Sequence, residues 1–159
     1  MAAGPAIKQK SPEERLASFI ARYTPEIRDL AHEALARMRA LLPGAVQLVY
    51  DNYNALAITF GPTERRSDVV FSITLYPRWV SLFFTDGANL ADPRKLLKGS
   101  GKSIRHIVLD DASTLDEAPV RALIGQALKR AAKRWVGPER IVIKSVSARQ
   151  RPRRPTAGS

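Results

Sequence analysis

The chain has 159 residues, 45% of them hydrophobic, with a formal net charge of +11 at pH 7. That length buries one core without staples, and the lack of cysteine excludes disulfides, thiolate metal sites and cysteine nucleophiles. "MAAGPAIKQKSPEE" has no apolar h-region and no apolar run approaches membrane-spanning length, so the sequence reads as a soluble, cytoplasmic protein.

Residues 1–11 read as a disordered start, 12–146 as a single α+β domain, and 147–159 as a basic, disordered tail. The first helix opens at "SPEERLASFIARY". Ser11 suits the N-cap, Pro12 the first turn, and Glu14 completes a capping box. Leu16, Phe19, Ile20 and Tyr23 then form one apolar stripe. A second helix restarts at Thr24-Pro25 and places Ile27, Leu30, Ala31, Ala34, Leu35, Met38, Leu41 and Leu42 inward. Pro43-Gly44 ends it.

The middle reads as an antiparallel meander of about five strands with one buried face. The segments are "VQLVY" (46–50), "ALAITF" (55–60), "DVVFSITLY" (68–76), "WVSLFF" (79–84) and "SIRHIVLD" (103–110). In the third, Val69, Phe71, Ile73 and Leu75 point one way and Ser72 and Thr74 the other. "ADPRKLLKG" reads as a short helix capped by Asp92 and closed by Gly99. A long helix is expected from Thr114 or Asp116 onward, with Val120, Leu123, Ile124, Ala127, Leu128, Ala131 and Trp135 on its core face. "RIVIKSV" (140–146) is a final strand.

"LLKGSGKSIRHIVL" (96–109) contains Gly-Ser-Gly-Lys-Ser, the end of a phosphate-binding loop. The full motif needs a glycine at 96, where this chain has Leu96. It also needs strand–loop–helix, whereas the expected order here is helix–loop–strand, so no helix N-terminus faces the loop. The spacing therefore argues against a nucleotide site. An anion nest of Lys98, Gly99, Ser100, Gly101, Lys102, Ser103 and Arg105 stays open as an alternative, and so does a plain turn with solvated lysines.

Ser103, His106 and Asp110 supply a triad's residue types. On one strand Ser103 and His106 face opposite sides, so they cannot act as nucleophile and base. No catalytic residue, metal ligand set or cofactor is assigned. Tyr50 to Asn54 read as a hairpin turn or as a polar rim at the end of the sheet. Tyr76, Trp79, Phe83 and Phe84 suit either a core or a base-stacking surface.

Charge is concentrated late in the chain. Residues 129–154 hold ten basic residues and one acid, Glu139. Lys129, Arg130, Lys133 and Arg134 fall on one side of the expected helix, and Arg149, Arg151, Arg153 and Arg154 extend them along the tail. This pattern points to an anionic partner, nucleic acid first, engaged through phosphates. A tail that only solubilises remains the alternative.

The phrases "VYDNYNALAITF" (49–60), "LYPRWVSLFF" (75–84), "LLKGSGKSIRHIVL" (96–109) and "IKSVSARQRPRRP" (143–155) resemble the YdhG-like family of small bacterial domains of unassigned function. The resemblance spans roughly 12–155. It implies a small α+β domain with helices against an antiparallel sheet, and no established catalytic residues. Some members are discussed as frataxin-like iron chaperones, a role that needs an acidic metal-binding surface. The carboxylates here are scattered along the chain, with only Asp110-Asp111 and Asp116-Glu117 adjacent.

Overall fold

The computed structural model describes residues 9–156. The expectation for 1–11 therefore falls mostly outside the described residues, as does the end of the tail at 157–159. The fold is α+β, with three helices and a six-stranded mixed sheet of order β5-β4-β3-β2-β1-β6.

Helix α1 (Pro12–Ile20) starts with the expected capping box: Ser11 accepts from the Glu14 amide, and Glu14 returns the bond. Helix α2 (Pro25–Leu41) is capped by Thr24. Strands β1 (Val46–Asp51), β2 (Leu56–Gly61), β3 (Phe71–Leu75), β4 (Val80–Phe84) and β5 (Arg105–Leu109) form the antiparallel meander. The chain then passes through α3 (Ala118–Arg130) and re-enters at the opposite edge as β6 (Arg140–Val146), parallel to β1.

The strand register explains the core. Val49, Ile58, Ile73, Leu82 and Ile107 form one cross-strand row, and all are buried. A second inward row runs Asp51, Leu56, Leu75, Val80, Leu109. The apolar members of these rows and the buried apolar residues of all three helices make a single cluster. Each fully buried Phe or Ile contributes about 1.5–3 kcal/mol over exposure. Ser72 and Thr74 lie on the other face, and their hydroxyls bond to each other at 2.9 Å.

Two elements depart from expectation. Residues 92–98 do not form a helix. The Asp92 carboxylate accepts from the amides of Leu96 and Leu97, and Lys95 takes φ 54°, so the segment closes as a turn. The last helix is shorter than its apolar pattern suggests. A 3-10 turn (Ala112–Asp116) precedes it, and it ends at Arg130, which leaves Lys133, Arg134 and Trp135 outside it. Trp135 still packs on the core, 6.5 Å from the Phe71 ring. Among the described residues no helix is long and apolar enough to cross a membrane.

Candidate functional site: an arginine and aromatic groove

The glycine loop closes on itself. Lys98 and His106 exchange backbone bonds at 2.8 and 2.9 Å, which brings the loop back against the edge of β5. Arg105 Nη1 donates to the carbonyls of Gly101 (2.6 Å) and Ile104 (2.8 Å). The Ser103 carbonyl accepts from the Ala88 amide. An anion nest needs amides turned inward, and here carbonyls turn toward the loop's own cation. Gly99 (φ 124°) serves the turn. Ser100, Gly101 and Lys102 are exposed. His106 packs against Phe83 with the rings tilted and their centroids 5.1 Å apart, the packing role its strand position suggests.

The helix cations do not form one stripe with the tail. Arg130 binds Asp86 at 2.6 Å and Lys133 binds Asp68 at 3.0 Å. Hydrogen bonds from Asn89 to Asp86 and from Thr63 to Asp68, and after them these cations, hold both aspartates below the usual carboxylate range. Asp68 precedes β3 and Asp86 follows β4, at one end of the sheet. The tail arginines lie at the other end, beside the β1–β2 and β3–β4 turns. Five strand residues separate those ends, about 16 Å at 3.3 Å each. Lys129, Arg134 and Arg149 are exposed.

The tail, within the described residues 147–156, is built into the fold rather than free as its composition suggests. A bulge at Lys144 shifts the β6 register against β1, and the chain continues from there along the β1–β2 turn. The Ser147 amide donates to the Asp51 carbonyl and the Arg151 amide to the Tyr53 carbonyl, each at 2.8 Å. Gln150 bridges the Asp51 carbonyl and Arg22.

The anchor is Arg153, 3% exposed. Its Nη2 donates to Asp51 Oδ1 at 2.8 Å and to the Asn52 carbonyl. It also lies 5.9 Å from the Tyr23 ring. Asp51 is 1% exposed at the end of an otherwise apolar row, so its carboxylate requires a partner. Arg153 supplies it, and Arg22 stands 3.7 Å from the other oxygen. Tyr23 donates to the Leu75 carbonyl, and burial pushes its phenol up to about 12.

This docking makes a groove. It is lined by Tyr76, Pro77, Arg78 and Trp79 of the β3–β4 turn, by Asn54, and by Arg151, Pro152, Arg154, Pro155 and Thr156 of the tail, with a volume of about 670 Å³. Tyr76 and Trp79 face each other across the Pro77-Arg78 turn, where the Tyr76 amide donates to the Trp79 carbonyl at 2.9 Å. Their rings stack at 4.8 Å. Trp79 remains 43% exposed, so part of its ring is open to a ligand. Arg151 sits over Tyr53 at 5.6 Å, and Arg154 donates to the Arg22 carbonyl. Of the other two aromatic residues considered for stacking, Phe84 is buried core and Phe83 is covered by His106.

Among the described residues no group of three or more acidic or histidine side chains is placed to hold a metal ion. No family model, no curated protein and no solved structure matches the chain.

Composition hid Asp51 and Arg153. The available signal was strand parity: Asp51 shares the inward face of β1 with Val49, and an inward acid needs a buried cation.

Proposed function

We propose that the chain is a YdhG-like binding domain, not an enzyme, that holds single-stranded nucleic acid in the groove between the β3–β4 turn and residues 151–156. The observation that carries this reading is the exposed Trp79 ring, stacked on Tyr76, in a groove that also presents Arg151 and Arg154. Arginine forks suit phosphate oxygens. Aromatic faces stack bases of any sequence, and only a single strand offers its bases for stacking. The helix cations support the reading less, because Arg130 and Lys133 are engaged by aspartates. The glycine loop supports a small-anion site less still, because Arg105 closes it.

The test is fluorescence anisotropy with a labelled oligothymidylate and a duplex at several salt concentrations. The single strand is expected to bind more tightly than the duplex. For two or three phosphate contacts, log K should fall with log salt at a slope of about −1.5 to −2. Trp79→Ala should cost about 1–3 kcal/mol, roughly a five- to 150-fold loss of affinity. Duplex binding equal to single-strand binding, or full affinity in Trp79→Ala, overturns the reading. So does an absence of binding at low salt.

A further inference from the structure

We infer that carboxylates behind the β3–β4 turn confine the bound strand to a short footprint, so that the ligand is a short single strand or a strand end. This rests on the groove reading above. Arg78 and Trp79 line two depressions, one on each side of the turn. One is the basic groove. The other is a cleft of about 470 Å³ whose lining includes Glu26, Asp29, Glu33, Asp110 and Asp111. The turn is thus a ridge with opposite charge on its two flanks.

The first three acids project from one face of α2, at i, i+3 and i+7. Asp110 and Asp111 follow β5 directly. Apart from Asp111, which the Arg37 guanidinium partly offsets, these acids carry no partner cation among the described residues. Asp51, Glu64, Asp68, Asp86 and Asp116 each sit in an ion pair. Among the described residues, no ion pair forms at Glu26, Asp29, Glu33 or Asp110. Asp111 accepts from the Ser113 amide at 2.7 Å, which holds its carboxyl below the usual range and keeps it ionised at neutral pH. Arg78, on the ridge, is the one cation among the residues that line the cleft.

In a chain of net charge +11, a local block of unpaired acids directs an anionic polymer. A strand lying on Trp79 meets arginines on the groove side. Extended over the ridge, each further phosphate meets carboxylates instead. Like charges brought together suppress that register, as they suppress wrong partners at interfaces. The retained footprint is on the order of three nucleotides, below the ~4–16 of groove binders whose charge is continuous.

The experiment measures affinity against oligothymidylate length, from two to twenty nucleotides, after correction for overlapping registers. Wild type is compared with Glu26→Gln/Asp29→Asn/Glu33→Gln. A second variant, Glu33→Gln/Asp110→Asn, avoids the first turn of α2 and the Asp111 cap, should the triple change disturb folding. Wild-type affinity should level off by about four nucleotides. In the variants it should keep rising with length, with at least a fivefold gain at twelve nucleotides and none at three. The salt slope should steepen by about 0.7 for each added phosphate contact. Identical length dependence in wild type and variants overturns the confinement while leaving the groove reading intact. If no length binds any of the proteins, or if Trp79→Ala binds like wild type, the groove reading falls and this one with it.

Discussion

Arg105 and Arg153 donate the same kind of hydrogen bond and do different work. Arg105 reaches carbonyls one and four residues back, inside its own exposed loop. Arg153 reaches the Asn52 carbonyl and the Asp51 carboxylate, about a hundred residues away, and is itself buried. A short loop closed by its own side chain saves little entropy and screens its charge in water. A buried charge pair across the chain fixes the whole segment that carries it, and is costly to break. Sequence distance and burial, rather than the number of bonds, decide which arginine is structural. The groove depends on the second kind, because its Arg151 and Arg154 side is held in place by Arg153.

The largest expected effect tests that dependence. Arg153→Ala strands the Asp51 carboxylate beside Leu56, with Arg22 at 3.7 Å as its one remaining ion-pair partner among the described residues. The cost should be about 3–5 kcal/mol in urea unfolding, or less if the tail undocks and lets water reach Asp51. Undocking has its own readout: trypsin cleavage after Arg149 should accelerate about tenfold or more over wild type. The double variant Asp51→Ala/Arg153→Ala should be less damaging than the sum of the two single ones. Simple additivity would break the contrast between the two arginines.

The next effect concerns Tyr23, which lies under the Arg153 guanidinium. Burial raises its phenol from 10.0 to about 12; Arg153 opposes the shift and Asp51 adds to it. A raised value means that the folded state favours the protonated phenol. The stability this contributes is complete below pH 10 and is lost as pH rises from 10 toward 12. The loss should approach roughly 2–3 kcal/mol. Absorbance titration should find Tyr23 ionising late, together with a smaller delay at Tyr76, which burial also raises. Tyr23→Phe should abolish the late step. If Tyr23 itself ionises near pH 10, it is not packed as described.

Much of the fold was legible because local rules and burial agreed. Ser11 and Glu14 satisfied each other's amides at the start of α1, Pro12 having none to satisfy, and Phe71, Ile73 and Leu75 took one face of β3. What escaped depended on partners distant in sequence. "ADPRKLLKG" has helix signals, but the Asp92 side chain bonds two amides and closes a turn instead. The helix around 118–135 has apolar spacing to Trp135. It stops at Arg130, and Arg130 and Lys133 pair with Asp86 and Asp68 at that end. "SARQRPRRP" is polar and proline-rich, and composition cannot show that Asp51 waits at the end of an apolar row. The groove was legible only in part: Tyr76 and Trp79 stood out as stacking residues, but nothing local brought the tail beside them.

The smallest effect is expected in the glycine loop, where it completes the contrast. Arg105→Ala removes two bonds to carbonyls that water can reach from the exposed stretch 99–104. A lost bond leaves no buried group unsatisfied, so the cost should be about 1 kcal/mol or less. The backbone pairing of Lys98 with His106 does not involve the side chain and should keep the loop against β5. Lys102→Ala should have no measurable effect on stability, because that side chain is exposed and outside any ion pair among the described residues. Equilibrium dialysis with Mg-ATP should show no micromolar binding to wild type, because the loop's carbonyls face its own cation and no helix follows it. Saturable binding that disappears in Lys102→Ala would reverse the assignment of the two regions, making the loop the ligand site and Arg105 its gate.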